Sequence, residues 1–197
     1  MRAGGGVAFV FALVSAVSVA HGQGIEGVKQ AAYARVALAR MVASDPEVVR
    51  AVTDKNAEAE SPEAIRRKDR DWATPAGAAL RRSLTRGPCA QRLRDLVKAD
   101  PLVAEVILMD AKGANVCVSR ETSDYWQGDE AKWQKTFVEG REVLVEEPAE
   151  DASAGVFAVQ LSVPVVDKGR RIGALCLTLK VRRDAAPPGP ISERGAR

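Results

Sequence analysis

The hydrophobic period of the chain changes at Leu102. Before it, apolar residues recur at three- and four-residue steps. Val28, Ala31, Ala32, Val36, Ala39, Val42 and Ala43 line one side of a stretch from Ile25 to Ser44, the spacing of a one-sided helix. Asp45-Pro46-Glu47 restarts the helix, since Asp45 can cap it and Pro46 suits a first helical position. Ser61-Pro62-Glu63, Thr74-Pro75 and Gly87-Pro88 repeat that grammar, and the last opens a helix with Leu93, Leu96 and Val97 on one face. Asp100-Pro101 closes the helical half.

After Leu102 the period falls to two. Val103 to Asp110 is a strand, apolar on both faces apart from Glu105. Asp110-Ala111-Lys112-Gly113 is turn chemistry, and Asn115 to Arg120 returns as the second strand. Helical spacing reappears from Asp129 to Glu139, followed by a third strand over Arg141 to Glu147 and an acidic loop from Pro148 to Ala154. Val156 to Val166 forms a fourth strand and carries Gln160 and Ser162 on one face. Asp167-Lys168-Gly169-Arg170 turns the chain into a last strand, Ile172 to Val181. There Ile172, Ala174 and Cys176 alternate with Leu175, Leu177 and Leu179, so both faces of the sheet are covered. The N-terminal helix is expected on one face, and the Trp133 helix with its preceding loop on the other. The fold class is α+β.

The two ends are expected to stand outside this domain. Met1-Arg2, the apolar stretch Val7 to Ala20 and the Ala20-His21-Gly22 triplet match a signal peptide over residues 1–22. The apolar stretch is short for a membrane span, and no later one is long enough. Cleavage predicts a periplasmic or secreted protein. Residues 23–101 are then a helical region, 102–181 the sheet domain, and 182–197 a disordered Pro/Gly/charged tail.

Composition narrows the chemistry. The 197 residues contain one histidine, His21, which leaves with the leader. Three-His zinc sites and Ser/Cys–His relays are excluded within this chain. The formal charge of +3 comes from 29 basic and 26 acidic residues with no dominant basic run, so no nucleic-acid footprint is read. The basic residues of 66–82 alternate with acids and read as a solvated helix face. Cys89, Cys117 and Cys176 have no metal-ligand spacing, and an oxidising compartment permits one disulfide among any pair. No cofactor is implied.

The stretch from Glu121 to Trp133 carries the candidate chemistry. Two of three Trp and one of two Tyr fall between Tyr125 and Trp133, in a chain only 5% aromatic. Amphipathic rings beside Asp124 and Lys132 suit a small-ligand pocket. They equally suit a lid whose rings close the core.

VILMDAKGANVCVS, TSDYWQGDEAKW and VQLSVPVVDKGRRIGALCLTLKV together resemble the PAS-like Cache (PDC) family of extracytoplasmic sensor domains. The resemblance implies a five-stranded antiparallel PAS-like sheet backed by a long N-terminal helix and further helices, with a ligand cavity on one face. Carried onto this chain it points to Tyr125, Trp126, Trp133, Gln160 and Ser162, and to Arg120, Asp124 and Met109. It implies a carboxylate, amino acid or amine ligand and no catalysis. Such domains usually precede a membrane helix and a signalling module. Neither is read here, so an exported binding protein reporting to a separate signalling partner is expected. The alternatives are an interaction or structural protein that keeps the fold without a ligand, and an enzyme using Asp124, Asp129 and Glu130. Carboxylates at a helix start are ordinarily capping groups.

Overall fold

The structure, a computed structural model, describes residues 25–151 and 156–180. The expected leader and tail lie outside them. Helices α1 (Ile25–Tyr33), α2 (Val36–Ala43), α3 (Pro46–Ala57), α4 (Pro62–Asp71), α5 (Ala78–Leu84) and α6 (Gly87–Ala99) precede the sheet. The expected caps form: Asp45, Ser61 and Thr74 accept hydrogen bonds from the backbone N–H groups of Glu47, Ala64 and Ala76.

The strands are β1 (Val103–Asp110), β2 (Asn115–Val118), β3 (Leu144–Val145), β4 (Ala149–Asp151), β5 (Val156–Asp167) and β6 (Arg170–Lys180). All pairings are antiparallel, in the order β2-β1-β6-β5-β3. β4 pairs residues 156–158 of β5 on the edge that β3 occupies further along, so the sheet has five positions with one shared by two short strands. Both predicted turns close hairpins, with Gly113 and Gly169 at φ of 77°.

Three elements differ from expectation. The first helix breaks at Ala34-Arg35, where the Arg35 guanidinium turns to Asp100, with Nε 2.6 Å from Oδ2 and Nη2 3.1 Å from Oδ1. The third strand shrinks to two residues, and part of the acidic loop becomes β4. The Trp133 helix is one turn, α7 (Ala131–Trp133), that widens into a π-turn over Gln134–Val138.

Two apolar layers sandwich the sheet, as the alternation from Ala174 to Leu179 predicts, while Ile172, expected beside Ala174 and Cys176, packs against the helix-backed layer. On one face Ala32, Ala39, Val48, Val52 and Leu93 pack against Val106, Leu108, Leu161, Leu175 and Leu177. On the other, Trp72, Tyr125 and Trp133 pack with Ile107, Met109, Ala174 and Cys176. A disulfide joins Cys89 of α6 to Cys117 of β2, and Cys176 is a buried free thiol. Asn56 near the end of α3 pins β6 and the β1–β2 turn: its Nδ2 donates to the Ile172 carbonyl at 2.8 Å and its Oδ1 accepts from Ala111 N–H at 3.0 Å. Among the described residues, no helix is long and apolar enough to cross a membrane.

Candidate functional site

The loop from Glu121 to Glu130 lacks regular structure, so its shape depends on what holds its backbone. One carboxylate oxygen of Asp69, on α4, accepts from the N–H of both Tyr125 and Trp126 at 2.9 Å. Trp72 Nε1 donates to the Thr122 carbonyl at 2.9 Å, and Asn115 Nδ2 to Thr122 Oγ1 and the Asp124 carbonyl at 3.1 Å. Gln127 N–H donates to the Gly113 carbonyl at 2.8 Å. Gly113 and Gly128 stack directly, and a Cβ on Gly113 would lie 2.4 Å from the Gly128 Cα. The loop is therefore bound to both α4 and the β1–β2 turn.

The aromatic residues are anchored at their polar ends. Tyr125 is fully buried, its ring tilted 31° to Trp72 at 5.8 Å, and its hydroxyl donates to Glu60 Oε2 at 3.4 Å. Burial pushes its phenol up to about 12, against the opposing field of Lys55. Trp126 is half-buried and donates Nε1 to the Lys112 carbonyl at 2.8 Å. Trp133 is buried, stacks on Phe137 at 5.2 Å and donates Nε1 to the Asp110 carbonyl at 3.0 Å.

Beneath this cover the sheet face has two unlike ends. Met109, Ala174 and Pro164 face one another in register at the apolar end, near Trp133. Ile107, Cys176 and Ser162 form the next row, and Glu105, Thr178 and Gln160 the next. Glu105, Thr178 and Ser162 are fully buried. Gln160 and Ser162 thus share a face, as period two requires.

Lys132 lies between these rows and the loop. It is 4% exposed, and its Nζ stands 2.8 Å from Glu130 Oε2. Burial alone would lower its pKa, but its neighbours Cys176, Glu130 and Asp124 outweigh this and hold it above the ordinary lysine value. Burial likewise pushes the Cys176 thiol up to about 12, against the Lys132 charge. Asp124 is bound by Gln127 Nε2 and pushed up to about 6 by burial, with Glu130 and Asp69 adding to the shift and Lys132 opposing it. Asp110 caps the β1–β2 turn by accepting from Lys112 N–H at 2.8 Å and Ala114 N–H at 2.9 Å. Its pKa is raised because burial outweighs those two bonds.

The Asp124 shift has a consequence for stability. Between about pH 4 and about pH 6 the folded protein keeps a proton that the unfolded chain releases. Asp124 therefore costs stability progressively as pH rises through that window, and the cost is constant above it. Asp124→Asn keeps an acceptor for Gln127 and removes the cost. The variant is expected to be about 1 kcal/mol more stable at neutral pH, allowing for solvent screening, and equal to the parent near pH 4. Paired thermal melts across pH 4–8 check this; parallel curves would show that Asp124 titrates normally.

The structure brings Met109, Trp133, Gln160 and Ser162 onto one sheet face and Asp124 and Tyr125 into the loop tied over it. Trp126 sits at the loop's partly exposed side, and Arg120 is exposed just beyond β2. Glu105, Thr136, Thr178, Gln127 and Asp69 were not among the expected site residues. Two of them carry a signal in the pattern. Glu105 interrupts an otherwise apolar strand, and Asp69 falls on the buried stripe of α4 between Ile65 and Trp72. Elsewhere a surface groove of about 410 Å³ runs between α2 and α6, lined by Leu38, Met41, Val42 and Leu96.

No protein-family model and no curated protein matches the chain. Among solved structures it is similar to sensor domains of histidine kinases and chemoreceptors. The sensor domain of the Vibrio cholerae histidine kinase DctB is 11% identical over 79% of this chain and 50% of that one, with a TM-score of 0.46. The ligand-binding domain of the Pseudomonas aeruginosa PAO1 amino acid chemoreceptor PctC, in complex with GABA, is 18% identical over 81% and 58%, with a TM-score of 0.47. That of the Pseudomonas fluorescens chemoreceptor CtaA, in complex with L-serine, is 13% identical over 79% and 54%, with a TM-score of 0.44. The chain spans about half the length of the solved domains it matches.

Proposed function

We propose that this chain is an exported, sensor-like binding module. It holds a small metabolite against the sheet face beneath the aromatic loop and reports to a separate signalling protein. One observation carries the reading: a face that is apolar at Met109 and Trp133 becomes a buried polar row at Ser162, Thr178 and Glu105. A ligand with an apolar body and a polar head matches both ends of such a face. Tyr125, Trp126, Trp133 and Met109 would enclose the body. Asp124, Gln160, Ser162 and Arg120 would orient the head. Ligands of the carboxylate, amino acid or amine class have these two parts. The role is binding, without turnover.

A second reading is an interaction protein that keeps the fold without a ligand. In its favour, the polar atoms of Tyr125, Trp126 and Trp133 are already bonded within the protein. A thermal-shift screen of small metabolites separates the two. A ligand at 100 times its Kd adds about 2.7 kcal/mol, which raises Tm by about 5–10 °C for a domain of this size. A broad screen without a shift favours the interaction protein.

A further inference from the structure

Burying a lysine is costly, and Lys132 is buried where the proposed ligand would lie. Its ammonium carries three donors. Its ion-pair partner among the described residues is Glu130. Around it stand the Asp124 carboxyl and the Cys176 thiol. Two buried polar atoms in this neighbourhood have no hydrogen-bonding partner, Gln127 Oε1 and Thr136 Oγ1. Gln127 is the residue whose amide nitrogen binds Asp124. Thr136 follows Lys132 by four residues, on the π-turn that packs against β5 and β6. Two carboxyl groups and the Gln127 amide oxygen, which only accept, match a primary ammonium better than an anion.

We propose that Lys132 is a tethered occupant of a cation subsite, its ammonium filling in the unliganded protein the place that a ligand's primary ammonium takes. This rests on the binding reading above and narrows it to ligands bearing an alkylammonium group. Such a ligand binds by displacing Lys132, whose butyl stem lets the charge swing away from Glu130 toward solvent. A tethered competitor acts at a high effective concentration, so it weakens every amine that enters and sets the threshold at which the site fills.

The test removes the tethered cation and supplies a free one. Lys132→Ala removes three methylenes and the ammonium, and n-propylammonium chloride is the probe. The variant is expected to melt below the parent and to recover most of the loss on titration with the probe. The parent should need at least about tenfold more probe for any shift. Neutral n-propanol should not rescue the variant, and Asp124→Asn with Glu130→Gln in the Lys132→Ala background should abolish the rescue. Should Lys132→Ala not fold, Lys132→Met keeps the stem's volume, and the ammonium ion is the matching probe under the same comparisons. Equal shifts in parent and variant, or none in either, would overturn the proposal. A metabolite that stabilises the parent while neither variant responds to an amine overturns the role of Lys132 alone and leaves the binding reading in place.

Discussion

Replacing Cys89 and Cys117 by alanine is expected to lower stability by about 3–4 kcal/mol. The bridge closes a loop with a sequence separation of 28. Cross-linking a chain over that distance removes about 12 cal/mol/K of entropy from the unfolded state, which gives that figure at 25 °C. In a domain of this size the loss corresponds to about 7–15 °C in Tm. Both sulfurs lie in the helix-backed core, with Cys89 8% and Cys117 3% exposed, so the alanine pair also removes some packing. Calorimetry of the variant, and of the parent with and without a reductant, measures it. A parent whose Tm ignores a strong reductant, with free thiols titrating as three, would show that the bridge does not form. Cys176 should stay unreactive until the protein unfolds, because it is fully buried and its thiolate is disfavoured.

Asp69→Ala is the second large effect. One oxygen atom serves two loop N–H groups, and Tyr125 is fully buried, so the alanine strands two donors together. Hydrogen bonds to a charged acceptor are worth about 1.5–3 kcal/mol each, and the pair should cost about 2–4 kcal/mol because they share one group. Asp69→Asn retains an oxygen acceptor and should cost less than half of that. The readout is a melt together with tryptophan fluorescence, since Trp126 and Trp72 flank the loop's attachment. If the loop is the lid of the site, metabolite stabilisation should vanish in Asp69→Ala and survive in Asp69→Asn. Equal stability of the two variants would mean that the carboxylate does not hold the loop.

Much of the fold can be read in the chain because its signals are local. Pro46, Pro62 and Pro75 each follow a capping side chain that accepts the expected bond. The Asp110-Ala111-Lys112-Gly113 and Asp167-Lys168-Gly169-Arg170 turns occur with Gly113 and Gly169 at positive φ. The alternation of Cys176 and Ala174 against Leu175 and Leu177 sorts correctly into the two cores. The elements that escape the pattern take their reason from distant partners. The helix breaks at Ala34-Arg35, where the Arg35 guanidinium holds both the Ala31 carbonyl one turn back and Asp100, 65 residues on. β4 exists because β5 offers it an edge, although Glu150 and Asp151 read as loop.

The candidate site divides the same way. Gln160 and Ser162 follow from period two, and the loop's aromatics from composition. That the polar edges of those aromatics are spent within the protein depends on Glu60, Lys112 and Asp110, which no spacing rule connects to them. Lys132 is visible as a charge beside the rings. Its burial against Cys176, 44 positions away, needs the sheet to be assembled first.

The short strands at the rims of the sheet bear on behaviour at high concentration. An exposed strand edge is a template on which another chain can pair and begin a fibril. Here one rim is β2, four residues long, packed against α5 and fastened to α6 through Cys117. The other is divided between β3 and β4, of two and three residues, with Pro148 between them. The long apolar strands β1, β5 and β6 lie inside those rims. Solubility of the folded domain is thereby guarded at its margins, and breaking the Cys89–Cys117 bond would loosen one of those guards as well as the core.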